Sequence, residues 1–184
     1  MKTSIKFFAA LAIMMGFTLL ANAQSPVTNT VTANATVETK LVVTQFQALN
    51  FGTVDNVIAQ TKVVSPAGVA SSSGGSVAQT GVQEGIGEIV RSGGVVTYKL
   101  VTPPATLAGP SGSLLPIGNY TTAYSITTSG GTQTAGNATV TLPTSVAAGT
   151  DDIYVHIGAT VTPSAATTLI GNHTNTITLS AEYN

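Results

Sequence analysis

Two histidines, seven carboxylates and a large stock of hydroxyl side chains supply most of what could do chemistry in this chain; cysteine is absent. His156 follows Asp151 and Asp152 closely enough to suggest a weak metal site. Neighbours along an extended segment point to opposite faces, so three ligands from a turn and the strand after it do not converge, and the spacing matches no recognised metal motif. The pattern instead predicts Asp151-Asp152 in a turn and His156 on a solvated face. No Gly-x-Ser-x-Gly elbow occurs, and nothing in the sequence ties a serine to His156 or His173 as its base. Glu84 and Glu88 are spaced like a carboxylate pair, yet their Gly-rich setting reads as loop or strand-edge charge. Gly85-Ile86-Gly87 lacks the following helix and lysine that a phosphate loop needs. Asn34, Asn119, Asn137 and Asn172 each begin an Asn-x-Thr triplet. Such triplets arise by chance in a chain this rich in Asn and Thr, and they matter only where glycosylation machinery is present. The expectation is a protein that is not an enzyme, with no catalytic, cofactor-binding or metal residues and no cofactor.

The elements that would position any site are strands. In residues 27–44, Val27, Val31, Ala33, Ala35, Val37, Leu41 and Val43 share one parity, while Thr, Asn, Glu and Lys dominate the other. Period two means an extended segment with one apolar and one polar face. It is long against the usual strand of about five or six residues, so it either bends between sheets or overhangs the domain. Phe46 or Leu49, with Phe51, should anchor a core, and Gly52 should mark a bend. Val63 and Val64 suggest a short strand ended by Ser65-Pro66, and residues 67–81 read as a Ser/Gly/Ala loop. Residues 86–91 and 95–101 flank Ser92-Gly93-Gly94 like two strands joined by a tight turn. Residues 105–119 read as irregular. Further strands are expected around Tyr120, Tyr124 and Ile126; at Ala138, Val140 and Leu142; from Ile153 to Val161; and at Ile177, Leu179, Ala181 and Tyr183.

No segment after the first 23 residues shows a capped apolar period of 3.6. The fold class is therefore all-β, an immunoglobulin-like two-sheet sandwich of Greek-key type with little helix. Residues 1–23 read as a signal peptide: Lys2 and Lys6, an apolar run from Phe7 to Leu20, and the small-residue site Ala21-Asn22-Ala23. The run is too short for a membrane anchor, because about 30 Å of hydrocarbon must be crossed. Residues 24–34 then form an N-terminal extension, and 35–184 the sandwich domain. Without residues 1–23, Lys40, Lys62, Arg91 and Lys99 stand against seven acidic residues, four against seven, for a net charge of −3. That balance offers no basic footprint for nucleic acid or a membrane surface.

The block from Ala35 to Thr44, continuing through Leu49-Asn50-Phe51-Gly52-Thr53-Val54, resembles the first strands of a family of secreted bacterial β-sandwich domains. That family is grouped with the major subunits of Mat/Ecp-type fimbriae and, more distantly, with spore coat U proteins. Residues 155–163, and then Gly171 to the terminal Ala181-Glu182-Tyr183-Asn184, look like its closing strands. Residues 64–115 carry no matching motif. In the family the last strand commonly begins Gly-x-Tyr, whereas here Gly171 is followed by Asn172 and His173. Tyr183 is similar to the terminal aromatic of chaperone–usher pilins.

What the resemblance implies is an exported sandwich of the periplasm, cell surface or extracellular space. It would be a fimbrial subunit assembling by strand donation, a mode in which backbone bonds give affinity and alternate side chains fill pockets. Val27, Val31 and Ala33 are the candidate donor residues, and Ile177, Leu179 and Tyr183 the candidate closing strand. Partners would be other copies, other surface subunits and a periplasmic chaperone. The alternative is a self-contained secreted binding module for a protein or glycan.

Overall fold

The computed structural model describes residues 40–55, 61–72, 80–126, 129–164 and 168–184, all within the unit Glu38–Asn184. Residues 1–23, which read as a signal peptide, and the candidate donor residues Val27, Val31 and Ala33 lie outside the described residues.

The described chain is an all-β sandwich of antiparallel sheets with a single short 3₁₀ turn at Pro110–Gly112. Its strands are β1 (Leu41–Gln47), β2 (Asn50–Phe51), β3 (Lys62–Val64), β4 (Ala70–Ser72), β5 (Val82–Gln83), β6 (Gly85–Arg91) and β7 (Val96–Val101). They continue with β8 (Thr106–Ala108), β9 (Leu114–Ile126), β10 (Thr134–Ala135), β11 (Thr144–Val146), β12 (Ile153–Val161) and β13 (Thr178–Tyr183).

β12 is the axis of the first sheet. Along one edge it pairs β6 through residues 153–157 and then β3 through 159–161, so β6 and β3 lie end to end; along the other edge it pairs β9. β1 lies outside β6, β4 outside β3, and β8 and β10 outside β9. β2 and β5 continue the β1–β6 ladder in one register past a bulge between Gln45 and Gln47. The second sheet is smaller, with the order β11–β7–β13.

Alternation along these strands builds two cores. Ile89, Ile153 and Val155 of the first sheet meet Val96, Tyr98 and Leu100 of β7 and Val146 of β11. Phe51, Val64, Leu115, Ile117, Ala159 and Val161 form the second. Gly52, at φ +62, makes the bend expected after Phe51.

Several expectations change. β6 and β7 do not pair across Ser92-Gly93-Gly94; the turn carries the chain from the first sheet to the second, because both strands are apolar enough to need a sheet-to-sheet core. Residues 70–72 of the supposed loop form β4. Residues 105–119 are ordered as β8, the 3₁₀ turn and the start of β9; Pro116 fits there because its carbonyl accepts from the Thr162 N–H. Ala138, Val140 and Leu142 are not a strand. The Asn137 side chain takes the Thr139 N–H, and Leu142 N–H bonds to the Thr139 carbonyl, so local turns win and β11 begins only after Pro143. Phe46 is 54% exposed and meets Tyr154 edge-on outside the sandwich, whereas Phe51 is buried as expected and Leu49 packs half-buried beside it.

Candidate functional site

Among the described residues Val43 marks an opening between the two sheets. Its register partner is Ile89, which in turn pairs Ile153. Directly paired residues share a face, and Ile89 and Ile153 are completely buried, yet Val43 is 38% exposed. Among the described residues the second sheet ends at β13, which lies beside β1 and sends Leu179 over Gly87. Among the described residues β13 has a ladder partner only in β7, and β1 only in β6. Among the described residues β1 and β13 are thus the facing outer strands of the two sheets, with the opening between them.

The opening is a groove of about 850 Å³. Its floor is Phe51, Leu115, Ile117 and Ile157. Val43 and Leu49 stand on one side, and Ile177 and Leu179 on the other. From Val43 to Phe51 the wall runs about 25 Å at roughly 3.3 Å per residue, room for an extended segment of about seven residues. In the middle the walls approach closely: a Cβ on Gly87 would lie 2.5 Å from Leu179 Cδ2, so only glycine lets Leu179 lean across. The wall opposite β1 is fastened from behind. Thr174 and Ala108 exchange backbone hydrogen bonds, and Asn175 Nδ2 donates to the Thr106 carbonyl.

Of the candidate closing residues, Ile177 and Leu179 line this groove, whereas Tyr183 lies outside its lining, at the start of β1. The Tyr183 hydroxyl donates to the Lys40 carbonyl at 2.9 Å and accepts from the Ser92 N–H at 3.0 Å. The ring lies on Gly94, where a Cβ would come within 3.1 Å of Cδ1; with φ +78 that position requires glycine on both counts. Lys40 is held a second time, its N–H donating to Ser92 Oγ at 3.0 Å.

Each histidine meets a serine that the sequence did not assign to it. His173 Nδ1 lies 3.0 Å from the Gly171 carbonyl, which can only accept, so Nδ1 carries the proton and Nε2 accepts from Ser113 Oγ at 2.9 Å. The Gly171 carbonyl thereby fixes this tautomer. The pair ties the groove wall to the turn before β9.

His156 contradicts the expected solvated face. It is completely buried, with Nε2 3.0 Å from Ser125 Oγ and Nδ1 3.6 Å from Glu84 Oε1. Burial pushes its pKa down, and the Glu84 charge opposes this in part. No sequence signal could have paired residues so far apart on different strands.

Glu88 accepts from Thr44 Oγ1 and from Tyr154 Oη across three adjacent strands, and the hydrogen bond to Glu88 raises the Tyr154 pKa. Glu84 and Glu88 therefore serve separate networks. Among the described residues no group of three or more His, Cys, Asp or Glu could hold a metal ion.

The described residues thus define an antiparallel all-β sandwich with a groove between its two sheets. No known family matches the chain, and neither a curated protein nor a solved structure matches it. The fold stands on its own geometry.

Proposed function

We propose that this chain is an exported structural subunit of a surface fibre, of the fimbrial or pilin kind, whose groove takes an alternating strand donated by a neighbouring copy. The observation that carries the reading is Val43, an apolar inner-face residue left uncovered where the second sheet ends at β13. An extended segment laid in the groove would cover Val43, with backbone bonds for affinity and alternate side chains for fit.

Residues 24–34 have the matching pattern, with Val27, Val31 and Ala33 on one parity. Burying each valine contributes roughly 1.5–3 kcal/mol. The signal-like residues 1–23 support export, and the resemblance of the end blocks to fimbrial subunits agrees with it.

The test compares the chain starting at Gln24 with one lacking residues 24–34. The longer chain should form oligomers or fibres by light scattering and electron microscopy. The shorter one should stay monomeric and gain thermal stability when a synthetic peptide of residues 24–39 is added. A monomeric longer chain, with an unfolding midpoint that neither truncation nor peptide moves, would favour the self-contained binding module instead.

A further inference from the structure

We infer that the chain carries a self-cleavage site at the Gly112–Ser113 peptide bond, with Ser113 as the nucleophile and His173 as its general base. Nothing in it depends on what fills the groove. Ser113 Oγ lies 2.9 Å from His173 Nε2. The Gly171 carbonyl holds the proton on Nδ1, so Nε2 presents its lone pair to the serine hydroxyl. An adjacent base of this kind is what activates a hydroxyl, a weak nucleophile by itself. Gly109 leaves room for the pair, because a Cβ there would collide with the imidazole and come within 2.7 Å of Ser113 Oγ.

Ser113 is only 7% exposed, which shuts out a bulky external substrate but not the carbonyl of the residue before it. That carbonyl belongs to a strained turn. Ser111 takes φ +50 and ψ +30, and Gly112 φ +78. A serine holds the left-handed conformation only at a cost. The turn is clamped shut by two backbone bonds: the Gly109 N–H donates to the Ser113 carbonyl at 2.8 Å, and the Ser113 N–H to the Pro110 carbonyl at 2.9 Å. Cutting the chain after Gly112 releases Ser111 from this conformation. Ser111 and Gly112 are exposed, so water reaches the bond.

His173 Nε2 takes the hydroxyl proton as Ser113 Oγ adds to the Gly112 carbonyl carbon. The tetrahedral adduct collapses with loss of the C–N bond, and the proton on Nε2 passes to the leaving Ser113 nitrogen. Gly112 is then joined to Ser113 by an ester. Water hydrolyses the ester, leaving a Gly112 carboxylate and an N-terminal Ser113 amine. No group is oxidised or reduced, and water is the only co-reactant. The pieces stay together, because β9 remains laddered to β8, and β12 to β6 and β3.

The test incubates the purified full chain without denaturant, with and without hydroxylamine, and follows it by denaturing gel and intact mass. The expected result is two pieces that meet at Gly112 and Ser113, weigh one water more than the chain, and co-elute in native gel filtration. Hydroxylamine attacks esters far faster than amides, so it should speed the break and leave a Gly112 hydroxamate. The hydroxamate is read in the unmutated chain and needs no variant to fold. Ser113→Ala should abolish cleavage, Ser113→Cys should keep it, and His173→Gln should slow it at least about a hundredfold, each with unchanged circular dichroism. Urea should stop it, because Ser113 and His173 are 60 positions apart in sequence. A chain that stays intact even in hydroxylamine overturns the inference, as does cleavage at Gly112 that survives Ser113→Ala. Undiminished cleavage in folded His173→Gln overturns the role of His173.

Discussion

Leu179 of the last strand leans over Gly87 of the first sheet, at a point where a single added methyl would meet it at 2.5 Å. This contact sets the width of the groove at its middle. Gly87→Ala should push the Leu179 tip into open space rather than into packed core, costing about 1 kcal/mol or less of stability. Binding of the residue 24–39 peptide should nonetheless fall by at least tenfold. Adding Leu179→Ala should restore much of it, and a double-mutant cycle in peptide titration and urea unfolding separates the two effects.

Val43 offers the converse case. Being already exposed, Val43→Glu should change the stability of the isolated domain by no more than about 0.5 kcal/mol. Placed under an incoming strand, the same carboxylate would have to be buried unpaired. Light scattering of the chain starting at Gln24 should show oligomers abolished while circular dichroism stays unchanged.

His156 makes stability depend on pH. Its folded pKa is depressed by burial, so the unfolded chain takes up the proton first as pH falls below about 6.5. Stability should be full above that value, decline on acidification and level off below the folded pKa. Urea midpoints from pH 7.5 to 4.5 should show this loss, and His156→Gln should flatten the histidine part of the curve.

Tyr120 acts at the opposite end of the scale. Its hydroxyl donates to the Pro104 carbonyl at 2.7 Å, and burial pushes its pKa up to about 12. The unfolded chain loses this proton near 10, so stability should fall between pH 10 and about 12 as the unfolded state becomes the less protonated one. Tyrosinate absorbance of the folded protein should include a step near 12 that Tyr120→Phe removes.

The strands with clean alternation were legible from sequence alone. Ile153–Val161 and Thr178–Tyr183 appear where period two put them. Alternation by itself did not separate Ala138, Val140 and Leu142 from a true strand, because Asn137 and Thr139 give the backbone nearer partners. Nor could it place Ser92-Gly93-Gly94 between sheets, since a turn's residues report its curvature and not where the next strand pairs.

The groove was half visible. Ile177, Leu179 and Tyr183 were singled out as a closing strand, while Val43 looked like any inward residue until the end of the second sheet left it uncovered. The serine partners of His156 and His173 depend wholly on which distant strands lie side by side, a matter of topology rather than composition.

The central position of β12 has a kinetic consequence. The strand that joins β6, β3 and β9 is the last but one in the chain, so for most of synthesis the others have no common partner. Its ladders close loops of up to about a hundred residues, a high contact order that slows folding and keeps strand edges open meanwhile. Of the first sheet's ladders, only β1–β6, β3–β4, β8–β9 and β9–β10 can close before it, so the first sheet is joined into one only when β12 arrives.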